Sequence, residues 1–314
     1  MSALFLSSGD LIADRRFHRA MEFLARQDEP AAADLLAQAI EQAPGFASAW
    51  FWLGELRERT GERAGAIEAF RNALAADAAD HHGAALRLSR LGAAPPGEPM
   101  SAAYVRTLFD QYAPRYDLAL VEGLHYHGPA IIRAALERAG RAPAFGRMLD
   151  LGCGTGLCGA AFRELAQHLA GVDLSPAMIA AAKAKGIYDR LAVGDIGAFL
   201  TGEAAHGSEY DLVTAADVLV YLPDLAPVIA GVARVLAASS LLAFTVETHG
   251  GTGVVLTERL RYAHAADHVR AAVGQAGLTV LRLDPAATRT ESGAPVPGLV
   301  AVAARIIPTA SSDS

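Results

Sequence analysis

The stretch Arg147-Met-Leu-Asp-Leu-Gly-Cys-Gly-Thr-Gly-Leu-Cys-Gly159 constrains the fold more than any other part of the chain. It reads as a short apolar strand, a glycine-rich turn and an alanine-rich helix running from near Leu157 to about Gln167. Gly152, Gly154 and Gly156 let the backbone turn sharply and approach a ligand that a side chain would exclude. The N-terminus of the following helix presents free N–H groups, which suit an anionic group on that ligand.

Strand and helix patterns then alternate along the chain. Strands are expected at Leu169–Asp173, Leu191–Asp195, Tyr210–Asp217 and Ser240–Glu247. Ser175 and Pro176 form a helix start between the first two of these. Thr248–Gly253 reads as a flexible loop, and His268–Ala276 as a helix. Leu278–Leu283 and Leu299–Ala304 have no helix between them and predict an antiparallel hairpin at the sheet edge. The expected fold class is α/β: a mostly parallel, doubly wound (Rossmann-like) sheet of seven strands, with ligands at the carboxyl ends of the strands. Asp173, Asp195 and Asp217 all fall at such ends.

Before this body, residues from about Asp14 to Gly92 carry helix-type apolar spacing and an internal period. Ala66 repeats Ala32, Ala73 repeats Ala39, Phe70 repeats Leu36 and Gly54 repeats Ala20, each 34 residues on. That is the tetratricopeptide period. Small residues at positions 54, 66 and 73 permit close helix approach, while Trp50, Leu53 and Phe70 fill the groove. The first copy is degenerate, with Arg16 at the Trp50 position, and a closing helix is expected near Asp80–Leu91. The expected domains are a helical repeat unit at 1–92, a proline-rich linker at 93–100 and the α/β domain at 101–314. The repeats suit a docking surface for a protein partner or self-association.

Ser101 suits a helix N-cap, and Val105, Leu108, Phe109 and Tyr112 share one helical face that ends at Pro114. This 101–128 segment reads either as a packing helix or as a lid, with Tyr104, Tyr112 and Tyr116 closing over a ligand. His125 and His127 have no cysteine or acid at ligand spacing, so no metal site is expected.

The net charge of −7 and the lack of a lysine/arginine block argue against nucleic acid as partner. No apolar run reaches the roughly 18 residues of a membrane span. Met1–Ser8 lacks a basic leader, and the two cysteines, Cys153 and Cys158, flank the glycine turn with no disulfide framework. A cytoplasmic location fits these features.

Gly154-Thr-Gly156-Leu-Cys-Gly159 alone matches a dinucleotide fingerprint, with Asp173 placed for a ribose. Two acids argue against NAD: Asp150 inside the first strand and Asp195 at the end of the third. The motifs Leu149-Asp-Leu-Gly-Cys-Gly-Thr-Gly156, Gly171-Val-Asp-Leu-Ser-Pro-Ala-Met-Ile179, Gly194-Asp-Ile196 and Asp211-Leu-Val-Thr-Ala-Ala-Asp217 together resemble class I S-adenosylmethionine-dependent methyltransferases over roughly residues 101–305. With the repeats in front, the chain resembles the tetratricopeptide-containing bacterial methyltransferases.

That resemblance implies S-adenosylmethionine as cofactor and S-adenosylhomocysteine as product. It implies that the backbone of Gly152, Cys153, Gly154 and Gly156 faces the methionine part, and that Asp173 accepts from both ribose hydroxyls. Leu174 and Met178 would line the adenine pocket, and Asp195, with Ile196 beside it, would accept from the adenine amino group. Ala216 and Asp217 would flank the methyl, and Tyr112 and Tyr116 would cover the amino-acid end. Asp150 is expected to be structural, holding the turn, and Cys153 to be a small packing residue. Methyl transfer needs a base only if the acceptor must lose a proton. His125, His127, Tyr221, Glu247, His249 and His264 are candidates, with His127 and Tyr221 favoured for catalysis. Asn-Pro-Pro-Tyr is absent after the fourth strand, where Ala215-Ala-Asp-Val stands, which favours a small-molecule acceptor. The alternatives are a repeat scaffold with an inert cofactor fold and an NAD-binding oxidoreductase.

Overall fold

A computed structural model describes residues 4–95, 97–140 and 144–305. Pro96 of the expected linker and the last residues of the expected α/β domain lie outside that set. The chain divides into two compact units, Met1–Tyr104 and Val105–Ser314. The division comes later than the linker. Ser101 Oγ donates to the Asp80 carbonyl, and the Tyr104 ring lies so close to Gly83 that a Cβ there would meet it at 2.8 Å. Tyr104 therefore belongs with the helical unit, not with a lid.

The first unit is helical: α1 (Leu11–Ala25), α2 (Glu29–Gln42), α3 (Ala47–Arg59), α4 (Arg63–Ala76) and α5 (Ala84–Arg90). Asp10 and Asp28 cap α1 and α2 through their side chains. The 34-residue period is visible in the structure, since α2 and α4 are both 14 residues long and start at Glu29 and Arg63. Its packing reason is equally direct. A Cβ on Gly54 would stand 2.7 Å from the Phe70 ring, so the larger side chain on α4 requires the smaller one on α3. The closing helix is shorter than expected. It starts at Ala84 because Asp80 turns the chain with φ +55° and accepts from the Ala84 and Ala85 N–H groups.

Helix α6 (Ala102–Tyr112) follows, with Ser101 Oγ accepting from Tyr104 N–H as its cap. Pro114 ends it, the chain passes through a short turn, α7 (Tyr116–Leu118), and then α8 (Gly128–Arg138). The second unit continues with β1 (Phe145–Leu151), α9 (Leu157–Phe162), β2 (Ala166–Asp173), α10 (Pro176–Ala184), β3 (Arg190–Val193), α11 (Ile196–Ala205) and β4 (Tyr210–Ala215). It ends with α12 (Ala226–Val235), β5 (Leu236–Glu247), β6 (Val254–Leu256), β7 (Tyr262–His264), α13 (Ala266–Gln275), β8 (Thr279–Pro285), β9 (Thr290–Glu291), β10 (Ala294–Pro295) and β11 (Gly298–Ala304).

The main path of the sheet is β3-β2-β1-β4-β5-β11-β8. Its first five strands are parallel, and β11 runs antiparallel to both β5 and β8. The terminal hairpin therefore sits at the edge as expected, with its second strand inside. Seven strands make this path, but β7 adds to the end of β5 and β6 adds to β7, in the stretch after the Thr248–Gly253 loop where no strand was expected. A separate ribbon, β9–β10, lies between β8 and β11 in sequence.

Alternate residues feed two cores. Leu149, Leu151, Val213, Leu242 and Phe244 face α11–α13 side chains such as Leu200, Ile229 and Val269. Met148, Leu212, Leu241 and Val300 face Ile132, Leu136 and Phe162 of α8 and α9. Burial on both faces explains why these strands read as nearly continuous apolar runs. It leaves polar groups to the strand ends, where the conserved direction of a parallel sheet collects its ligand loops.

Candidate functional site

The glycine turn after β1 is left-handed three times over, with φ of +60°, +53° and +93° at Gly152, Gly154 and Gly156. At Gly152 the requirement is also spatial, because a Cβ would meet Val218 Cγ2 at 1.9 Å. The loop after β4 thus packs directly onto this turn. Gly154 is different: a Cβ there would meet only the edge of the Tyr116 ring at 3.9 Å. The backbone is open on that side, as a cradle for a ligand must be.

Asp173 at the end of β2 ties the turn to the next loop. Its Oδ2 accepts from Gly154 N–H at 2.9 Å and its Oδ1 from Ser175 N–H at 2.8 Å. Burial raises its pKa, and these two bonds counter the rise. Ser175 caps α10 by accepting from Met178 N–H at 3.0 Å, and Met178 is fully buried while Leu174 is half-buried. The Asp173 carbonyl accepts from Gly194 N–H at 2.9 Å, which brings the Asp195 loop alongside. Asp195 is exposed, and its Oδ1 caps α11 through Ala198 N–H, with Ile196 half-buried next to it. The cap uses one of the two carboxylate oxygens.

Asp150 is structural, as expected, but it serves the sheet core and not the turn itself. It accepts from Tyr188 Oη at 2.6 Å and from Thr214 Oγ1 at 3.0 Å. Burial pushes its pKa up to about 6. Tyr188 explains the last glycine of the motif, because a Cβ on Gly159 would lie 2.3 Å from its ring. Cys153 and Cys158 are buried thiols whose pKa values burial raises, so both are packing groups.

The segment before β1 is anchored to these loops by residues the sequence did not single out. Asp110 accepts from Ser175 Oγ at 2.5 Å and from Ala177 N–H at 3.2 Å. Asp117 accepts from Thr155 Oγ1 and, at 2.6 Å, from Lys185 Nζ. Tyr112 packs edge-on against Tyr116, with centroids 5.7 Å apart. Phe109 lies 6.2 Å from Tyr116 and 5.4 Å from Tyr221. An aromatic wall thus stands over the Gly154 cradle, and Tyr221 is part of it.

His127 is not. Its side chain is exposed, with Nδ1 2.6 Å from the His125 carbonyl. Between the two histidines, Tyr126 turns inward, and its pKa is raised by burial and then by the Asp217 charge. His264 is fully buried and stacked on His268 at 5.3 Å; it and His249, which accepts from Gly251 N–H, serve the β6–β7 region.

The densest polar group lies at the ends of β4 and β5. Asp217 holds a left-handed φ of +56°, costly for a residue with a Cβ. Its N–H donates to Thr245 Oγ1 at 2.9 Å, and its carboxylate accepts from Thr288 Oγ1 at 2.9 Å and Arg289 Nη1 at 2.9 Å. Ala216 beside it is half-buried. Arg289 is 2% exposed and also donates to Glu247 and, at 2.8 Å through Nε, to Glu291. Arg261 and Arg259 complete the group. Glu247 was a candidate from its strand end. Arg289 was not, since it sits in the β8–β11 connection, where the sequence showed only a hairpin loop.

Residues 149–242 match a family described as "Methyltransferase domain". Methyltransferase-like protein 27 of Homo sapiens is 38% identical over 91 residues, which is 28% of this chain and 37% of that protein. The ubiquinone biosynthesis O-methyltransferase of Thiobacillus denitrificans is 33% identical over 104 residues, 31% of this chain and 42% of that protein. The matched region thus spans about two fifths of these curated relatives. Among solved structures, the [4+2]-cyclase SpnF shares the fold with a TM-score of 0.52 at 16% identity, over 68% of this chain and 98% of that one. The second unit thus contains, over residues 149–242, a segment similar to a methyltransferase domain, set in a sheet that shares its fold with that solved structure.

Proposed function

We propose that the chain is an active methyltransferase that moves a methyl group from S-adenosylmethionine to a small-molecule acceptor. The observation that carries this reading is the bond from Gly154 N–H to Asp173 Oδ2, which joins an open glycine turn to an acid at the end of β2. The residues present fit the cofactor. The Gly152–Gly156 backbone offers room at Gly154, Asp173 has lone pairs left for ribose hydroxyls, and exposed Asp195 keeps an oxygen for the adenine amino group. The aromatic wall of Tyr112, Tyr116, Phe109 and Tyr221 offers ring faces to a sulfonium. When bound, the cofactor supplies an electrophilic methyl. The chain's own residues then align the acceptor and exclude water, which is the main demand of an in-line displacement.

A small acceptor is supported by the relatives named for ubiquinone biosynthesis and by the net charge of −7. Of the favoured pair, Tyr221 stands in the wall while His127 faces outward; burial raises the Tyr221 pKa, so its hydroxyl stays protonated and suits orienting the acceptor, not taking its proton. Glu247, also held inside, is an alternative base. The repeat unit is read as tetratricopeptide in type and as a docking or self-association surface, and the location as cytoplasmic.

Isothermal titration with S-adenosylhomocysteine tests this reading. The full chain should bind it, and Asp173→Ala should bind about 10- to 100-fold more weakly, as expected for losing charge-assisted hydrogen bonds of about 1.5–3 kcal/mol. Equal binding by the variant, or none by the wild type, would falsify it. Binding without methylation of any metabolite pool would favour an inert fold.

A further inference from the structure

We propose that the acceptor is an aromatic carboxylate and that Arg261 is the residue that holds its carboxylate group. This rests on the methyltransferase reading and adds the chemical class of the acceptor.

The three arginines of the group at the ends of β4 and β5 are not equally committed. Arg289 donates to Asp217 at 2.9 Å, to Glu291 at 2.8 Å and to Glu247, which engages all three of its nitrogens. Arg259 Nε takes the other oxygen of Glu291 at 2.8 Å. Arg261 is left with poor partners. Among the described residues its guanidinium reaches Glu247 Oε1 at 3.3 Å and Glu291 Oε1 at 3.5 Å, through Nη1 in both cases. Both are long for a charge-assisted bond, which sits near 2.7–2.9 Å. Both oxygens are also already taken by Arg289. A planar, permanently charged fork is therefore held in place while its donors are under-used.

Its position is what makes this informative. Arg261 lies over the Tyr221 ring, 5.9 Å from the centroid, with its side chain 26% exposed. Tyr221 packs on Phe109, Phe109 on Tyr116, and Tyr116 borders the open side of Gly154. The arginine thus stands at the far end of the aromatic wall from the cofactor turn. A ring lying against that wall would reach the arginine with a substituent. Charge agrees. Arg259, Arg261 and Arg289 are balanced by Asp217, Glu247 and Glu291, and burial pushes the Glu247 pKa up to about 7, so its negative charge is incomplete near neutrality. A cationic sulfonium adds further positive charge, and an anionic acceptor complements it. A carboxylate matches the fork in two parallel bonds, and the aromatic wall selects a flat ring over an aliphatic chain.

The test uses the full chain saturated with S-adenosylhomocysteine. Benzoate, 4-hydroxybenzoate and 4-aminobenzoate are titrated by calorimetry, beside the matching benzamides and phenylphosphonate. The expected result is binding of the benzoates, at least tenfold weaker binding of the amides, and at least a tenfold loss for the benzoates in Arg261→Gln. Arg261→Lys, which keeps the charge but not the fork, should fall between. S-adenosylhomocysteine affinity should stay the same in both variants. Four outcomes overturn the proposal: no benzoate binding, equal binding of acid and amide, unchanged binding in Arg261→Gln, or phenylphosphonate bound more tightly than benzoate. Failure of S-adenosylhomocysteine itself to bind would instead strike the methyltransferase reading, so the two failures are separable.

Discussion

An acid inside a buried strand is costly, and Asp150 shows how the cost is contained. Its two oxygens take the hydroxyls of Tyr188 and Thr214, and burial still lifts its pKa from 3.8 to about 6. A carboxylate with a raised folded-state pKa binds protons more readily folded than unfolded. Its contribution is full below pH 3.8 and is lost as pH rises through about 6. Asp150→Asn removes this dependence. Between pH 5 and 7.5 the variant should gain about 1–1.5 kcal/mol relative to wild type, read from urea midpoints at the two pH values. An unchanged difference would mean that Asp150 is not the titrating group. Arg289 makes the opposite case. With 2% exposure and three carboxylate partners, its loss strands buried negative charge. Arg289→Met should cost about 3–5 kcal/mol in urea unfolding at pH 7.5. The sequence displayed Asp150 and Asp173 because they sit inside recognisable strand ends. It did not display Tyr188, Arg289, Asp110 or Tyr126, because their roles depend on neighbours distant in the chain.

Element boundaries moved wherever tertiary pairing overrode local pattern. The alanine-rich run after the glycine turn predicts a helix to about Gln167, yet α9 stops at Phe162. Arg163 pulls the chain out by donating to the carbonyls of Ala166, Gln167 and Ile187, and Ala166 already pairs with Phe145 in the sheet. The start of β5 moved for a similar reason, since Leu236 pairs with Tyr210 before a register shift. The repeat unit was more legible, because its period is written in residue size. Ala20 and Leu36 in the first copy become Gly54 and Phe70 in the second. Gly54→Ala places a Cβ 2.7 Å from the Phe70 ring and should cost about 1–3 kcal/mol, despite the better helix propensity of alanine. The double change Gly54→Ala with Phe70→Leu rebuilds the first copy's pair and should be less destabilised than the two single changes summed. Strict additivity in a denaturation cycle would show that the two side chains do not oppose one another.

At the scale of the whole chain, strand order follows from the alternation of elements, while the division into units does not follow from the proline-rich stretch alone. Each unit has its own buried clusters: Phe17, Leu36 and Phe70 belong to the first, and Leu149, Phe244 and Val300 to the second. Residues that bind the cofactor in the proposed reading all lie in Val105–Ser314, whereas both tryptophans, Trp50 and Trp52, lie in Met1–Tyr104. This separates the optical probe from the ligand site. A ligand that binds only the folded second unit stabilises that unit by RT ln(1 + [L]/Kd), about 2.7 kcal/mol at one hundred times Kd. Calorimetry of the full chain should therefore resolve two transitions, of which S-adenosylhomocysteine raises one. Tryptophan fluorescence should follow the other, at a temperature that the ligand leaves unchanged. A single transition seen by both probes, rising together with ligand, would show instead that the two cores unfold as one cooperative unit.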